Sequence, residues 1–130
     1  HAGGCGLVVA WPRRGPSSRA LTRVLVRLGY VYRHCLEADL RPGRGLILRG
    51  AELTDHGAGA RMLAHGAAGR FDAYLGPHMH PWDASAGLLL VEEAGGRVLP
   101  YPGKEGLQAG GAVLASTPAL YDRLHAATRW

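Results

Sequence analysis

The sequence predicts an α/β domain, a layered mixed sheet flanked by helices. Two observations predict it. Short apolar runs with the length of buried strands, such as residues 6–10 and 111–115, alternate with stretches whose apolar residues recur at helical spacing. Glycine and proline punctuate the boundaries, at Gly29, Gly76-Pro77, Gly95-Gly96 and Pro102-Gly103.

Residues 6–10 (Gly-Leu-Val-Val-Ala) form the first expected strand, and Trp11-Pro12-Arg13-Arg14-Gly15 turns out of it. Pro16-Ser17-Ser18 opens a helix with Leu21, Val24, Leu25 and Leu28 on one face, arginines on the other, and Gly29 as its stop. Residues 30–36 read as a second strand, and strand, helix, strand suggests a parallel unit. Residues 37–49 carry the turn-rich Arg41-Pro42-Gly43-Arg44-Gly45, with Leu46-Ile47-Leu48 as a brief strand. A helix over 57–68 is expected to pack Ala60, Leu63, Ala64 and Ala67 inward, its small residues permitting close approach to a neighbour.

Next comes the stretch around which the chain is organised. Phe71, Ala73 and Leu75 alternate with Asp72 and Tyr74, so residues 71–75 read as a strand with one apolar face that Gly76-Pro77 breaks. Pro81 prevents any helix from running through, and Asp83 is expected to cap a new one. Ala86, Leu89, Leu90 and Ala94 give that helix its apolar face, and Gly95-Gly96 ends it. A strand over 97–99, a turn at Pro102-Gly103, a loop and a buried strand over 111–115 follow. Thr117, with Pro118 at the first helical position, opens a last helix through Leu120 and Leu124.

At 130 residues the chain is read as a single domain over 1–130, large enough to bury a core. No apolar run approaches the ~18 residues of a membrane span, so no membrane partner is expected. No charged-then-apolar leader is recognisable, and a chain opening at His1 rather than Met suggests a processed or truncated product. Cys5 and Cys35 match no metal or redox spacing and fit a reducing, cytoplasmic compartment, as inert small hydrophobes. The formal charge is +5, and Lys104 is the only lysine among fifteen basic residues. These arginines are scattered rather than striped, so a coding bias towards arginine explains them at least as well as nucleic-acid binding, which is not expected.

Gly69-Arg70-Phe71-Asp72-Ala73-Tyr74, then Trp82-Asp83-Ala84-Ser85-Ala86-Gly87, then Val91-Glu92-Glu93-Ala94-Gly95-Gly96 resembles the C-terminal signature of the inositol monophosphatase family. The similarity is clear from about residue 57 to the end. The resemblance implies a magnesium-dependent phosphatase and the C-terminal subdomain of that fold, with 3′(2′),5′-bisphosphate nucleotidases among the relatives. It implies Mg2+ as cofactor, a small phosphorylated metabolite as partner, and a homodimer as the assembly to look for.

By this resemblance Asp83 holds one of the catalytic metal ions. Magnesium takes hard carboxylate oxygens and keeps several waters, so one well-placed aspartate beside a phosphate matters. The purely structural reading of Asp83 is a helix cap. His78-Met79-His80 invites a zinc reading, but alternate loop residues rarely make a complete site; His80 is read on the substrate side, against the simpler reading of a solvated loop histidine. Gly57-Ala58-Gly59-Ala60 aligns with a segment of the family that approaches the substrate, with Ala58 standing where a hydroxyl residue is usual. Gly76 falls near a position where inositol-specific members carry a substrate-binding glutamate. The structural reading of these glycines is helix packing. Asp72 reads as structural, and Glu93 as fixing the loop after its helix.

The family's Asp-Pro-Ile/Leu-Asp-Gly-Thr segment does not occur among these residues, and the chain has ten acids in all. The expectation is therefore the C-terminal half of a phosphatase without its N-terminal catalytic half: Asp83 as metal ligand, Gly57, Ala58, Gly59, Gly76 and His80 as substrate wall, no catalytic residue, and no activity for the chain alone. The alternative is a non-catalytic remnant that binds an anion or a partner.

Overall fold

The computed structural model of the protein describes residues 25–28, 52–54, 58–103 and 106–129, and in the first two segments the side chain of Val26 alone. The strands expected over 6–10, 30–36 and 46–48, the helix start at 16–18, Gly57 and both cysteines lie outside the described residues.

The described elements run β1 (Leu25–Leu28), β2 (Glu52–Thr54), α1 (Gly59–Ala67), β3 (Ala73–Met79), α2 (Pro81–Glu93), β4 (Arg97–Val98), α3 (Gly106–Ala109), β5 (Gly111–Ser116) and α4 (Pro118–Thr128). They build one five-stranded sheet in the order β2-β1-β3-β5-β4. β1 pairs parallel with both β2 and β3, while β5 runs antiparallel to β3 and to β4. The mixed sheet with flanking helices is thus the expected fold class.

The sheet has apolar side chains on both faces. Ala73 and Leu75 of β3, Leu114 of β5 and Val26 of β1 pack with Leu120, Tyr121 and Leu124 of α4. Tyr74 and Met79 of β3, with Val113 and Ala115 of β5, pack with Met62 and Leu63 of α1 and Ala84, Leu88 and Val91 of α2. The period of two along each strand sends alternate residues into opposite cores. So Tyr74, read as the polar side of a one-faced strand, is 2% exposed.

Several expectations need correction. Leu25–Leu28 is a strand, not the end of a helix. Leu25-Val26-Arg27-Leu28 satisfies either periodicity over so short a run, and pairing with β2 and β3 on its two sides decides for strand. Gly76-Pro77 does not end β3, which continues to Met79. The register slips there instead: Gly76 faces Val113 and Met79 faces Gly111, three steps on β3 against two on β5. A bulge is where a strand tolerates a proline, which has no N–H for the ladder. The slip also breaks the alternation, so Met79 joins the same core as Tyr74 although it lies an odd number of positions further along the strand.

On α1 the buried residues are Met62, Leu63, Gly66 and Ala67, while Ala60 and Ala64 are exposed. Met62 carries far more apolar surface than Ala60, which rotates the face by about one position. On α2 the buried residues are Ala84, Gly87, Leu88 and Val91; Leu89 and Leu90 are 58% and 43% exposed, and Ala86 is also outside. The close helix approach is real, but it comes through Gly87, where a Cβ would lie 2.5 Å from the Cβ of Leu63.

Gly95-Gly96 ends α2 as expected, through backbone bonds: Gly95 N–H donates to Glu92 O and Gly96 N–H to Val91 O, with Gly95 at φ +86°. This is the glycine C-terminal motif that a left-handed residue permits. Glu93 stays exposed, so the backbone rather than its carboxylate fixes this loop. The loop before β5 contains the short α3. Thr117 and Pro118 open α4, and Arg97 of β4 pairs with Asp122 at 3.0 Å and lies 4.0 Å over the Tyr121 ring. Among the described residues no helix is long and apolar enough to cross a membrane.

Candidate functional site at the end of the central strand

Met79, the last residue of β3, is where the site is assembled. The N-terminus of α1 lies on its side chain, since a Cβ on Gly59 would come within 2.5 Å of Met79 Cε and 3.0 Å of the Tyr74 hydroxyl. Glycine lets the backbone come this close without moving the Met79 side chain. The Tyr101 hydroxyl donates to the Met79 carbonyl at 2.7 Å. A Cβ on Gly110 would run into the same carbonyl. One residue on, His80 is the N-cap of α2 and Pro81 its first residue.

Two helix N-termini, of α1 and α2, therefore meet at the end of β3. Among the described residues neither is capped by a side-chain hydrogen bond from its N-cap residue, Ala58 or His80. In α2 Pro81 has no N–H and the Asp83 N–H donates to His80 O at 3.0 Å, so the helix dipole and the Trp82 backbone N–H are what suit an anion there. Asp83 lies in the first turn of α2 and is exposed. It is not the cap: Pro81 takes the first helical position, where a missing N–H costs nothing, so His80 becomes the cap and Asp83 falls third. Among the described residues no cationic side chain pairs with the Asp83 carboxylate. Its charge reaches Tyr101, whose phenol is held above its ordinary value by burial first and by Asp83 second.

The aromatic residues form a short ladder beside this acid. His78 and His80 meet edge to face with ring centres 5.2 Å apart, and His80 stacks on Trp82 at 4.5 Å with 12° between planes. Trp82 is 74% exposed. Further along α2, Ser85, Leu88, Leu89 and Glu92 form one wall of a groove of about 510 Å³, with Val98 and Tyr101 on the other side.

Of the residues singled out in the sequence, Gly59 lies against the Met79 side chain, His80 follows Met79 directly and Asp83 lies in the first turn of α2, with Ala58 exposed as the N-cap of α1. Gly76 is buried in β3, where a Cβ would meet Tyr74 Cε1 at 3.2 Å and Met79 Cγ at 3.3 Å. Asp72 lies just ahead of β3, half-buried, and its carbonyl accepts from Thr117 N–H at 3.1 Å. Among the described residues no three His, Cys, Asp or Glu side chains converge as a metal site. The Asp83 carboxylate is a single hard oxygen donor. Sequence reasoning missed Met79 and Tyr101. Tyr101 joins Met79 across 22 residues, and no local pattern announces such a contact.

Fold and site together define a class: a mixed α/β domain that presents an acid at a helix start beside the end of its central strand. The profile of the inositol monophosphatase family matches residues 28–130, and the chain belongs to that family. It is 32% identical over 106 residues to the putative Nus factor SuhB of Neisseria meningitidis serogroup B, covering 80% of this chain and 41% of that protein. It is 33% identical over 100 residues to the inositol-1-monophosphatase of Caulobacter vibrioides, covering 67% of this chain and 39% of that protein. Among solved structures, Mycobacterium tuberculosis SuhB matches with a TM-score of 0.72 and 34% identity, covering 88% of this chain and 43% of that one. The chain thus spans about two-fifths of the length of these relatives.

Proposed function

We propose that this chain supplies the C-terminal part of a magnesium-dependent phosphomonoesterase, acting on a small phosphorylated metabolite in the cytoplasm. One observation carries the reading: an exposed carboxylate, Asp83, sits where two helix N-termini without side-chain caps meet at the end of β3. A carboxylate and an anion-favouring cradle side by side suit a cation bridging the protein to a phosphate. Asp83 would hold the ion, and the start of α1 at Ala58 and Gly59 and the His80 ring would form part of the substrate wall. When bound, magnesium stabilises the charge that develops on the transferring group.

The chain by itself is expected to bind without turning over. In-line attack on a phosphate needs several carboxylates to hold ions and activate a water, and Asp83 is the acid this arrangement provides. Purified chain incubated with magnesium and inositol phosphate or adenosine bisphosphate should release no phosphate. Release that Asp83→Asn abolishes would overturn this.

Ala58, exposed where a hydroxyl residue is usual in the family, favours a substrate with more negative charge than a simple inositol monophosphate. Gly76 adds nothing to that argument, because it lies buried against Tyr74 and Met79. A second reading, a non-catalytic binding domain, is favoured by the exposed Trp82, Leu89 and Leu90 on α2 and by relatives that carry the name Nus factor. The coding region upstream of His1 separates the two. An in-frame Asp-Pro-x-Asp-Gly-Thr segment supports the enzyme, and a genuine start site at or near His1 supports the binding domain.

A further inference from the structure

The phosphatase reading above places the His80 ring in the substrate wall but gives no role to Trp82, which stacks on it. The two rings are nearly parallel, 12° apart with centres 4.5 Å from each other, and His78 meets the far ring edge to face. His80 covers one face of the indole. Trp82 is nonetheless 74% exposed, so its other face is open. A flat, solvent-facing indole backed by a second ring has restricted freedom and a large π surface, which is what a stacking platform for a planar ring needs. Asp83 is the next residue. Consecutive helical side chains splay by roughly 100°, but their Cα atoms are only about 3.8 Å apart. A molecule as long as a nucleotide lying on the indole can therefore extend to the Asp83 side of the same helix end.

We propose that Trp82, backed by His80, is a stacking platform for the nucleobase of a nucleoside phosphate whose phosphate sits by Asp83. This rests on the phosphate-site reading and adds the substrate's other end. A polyol ring presents hydroxyls rather than a π face and would gain less from this surface. Trp82 fixes which ester binds, not how it is cleaved.

The test compares three probes on the whole chain in magnesium: adenosine 5′-phosphate, ribose 5-phosphate and adenosine. Adenosine 5′-phosphate should bind about tenfold or more tightly than ribose 5-phosphate, the range that base–aromatic stacking supplies. Trp82→Ala should abolish that preference and Trp82→Phe should keep most of it, with unchanged melting temperatures because the side chain is exposed. A base that adds nothing in the wild type, or a preference that survives Trp82→Ala, overturns the proposal. So does a Trp82-dependent dimer in sedimentation that excludes the nucleotide, or inositol phosphate binding that depends equally on Trp82. The underlying reading fails separately: adenosine binding that needs Trp82, with no gain from the phosphate, would leave the platform standing and remove the phosphate site.

Discussion

Tyr101 ties the site together from 22 residues away. Its hydroxyl holds the Met79 carbonyl and lies in the field of Asp83. Tyr101→Phe leaves that carbonyl without this donor and should lower stability by about 0.5–1.5 kcal/mol in a urea titration. The pH dependence follows from the raised pKa. The folded protein binds the phenolic proton more tightly than the unfolded chain does. This contribution is complete below the unfolded value of about 10 and is lost as pH rises through it towards the higher folded value. Urea midpoints between pH 8 and 11 should therefore fall more steeply for the wild type than for Tyr101→Phe; equal slopes would show that Tyr101 does not sense its surroundings. Asp83 was legible because its signal is local, an acid after Pro81 and Trp82 in a motif. Its status as third residue rather than cap was not, because it depends on which backbone position Pro81 takes.

At the scale of elements, α2 shows where periodicity runs out. Leu88, Leu89, Leu90 and Val91 are consecutive, so apolar residues at helical spacing can be chosen along more than one face. The packing of α1 decides it. Gly87 admits Leu63, which turns Leu88 and Val91 inward and leaves Leu89 and Leu90 outside. Leu88→Ala should cost about 2–5 kcal/mol, whereas Leu89→Ala should stay within about 0.5 kcal/mol. Comparable losses at the two positions would reject the assigned face. Gly87→Ala is a sharper probe. Alanine gains about 1 kcal/mol of helix propensity but drives a methyl into Leu63, a backbone-to-core clash worth about 1–3 kcal/mol. A net loss of stability is expected, and a stabilised variant would mean the helices are further apart. The bulge in β3 is a second limit. Gly76-Pro77 looked like a strand end, and the structure uses it to re-aim Met79 into the core under α1 and α2.

For the whole molecule, the sheet keeps its helices on two sides, and the candidate site lies where β3 delivers the chain into α2. Strands over 111–115 and 97–99 and the last helix were readable because each is a short apolar run or periodic stretch between clear breakers. The pairing order β2-β1-β3-β5-β4 was not, since it is made by contacts between distant residues. Arg97 shows how little a surface arginine adds to stability: its pair with Asp122 is exposed and contributes little. The central claim is that Asp83 holds a divalent cation at this end of the sheet. Losing a group behind a metal ligand typically costs 10- to 100-fold in affinity, so losing the ligand itself should cost about tenfold or more. The most direct measurement is paramagnetic broadening of backbone amides by Mn2+, titrated into wild type and Asp83→Asn. Broadening centred on residues 80–84, with Gly59 and Tyr101 affected, and weakened about tenfold in the variant, is the predicted result. Broadening centred elsewhere, such as on Glu92 and Glu93, or identical in the two proteins, would contradict it.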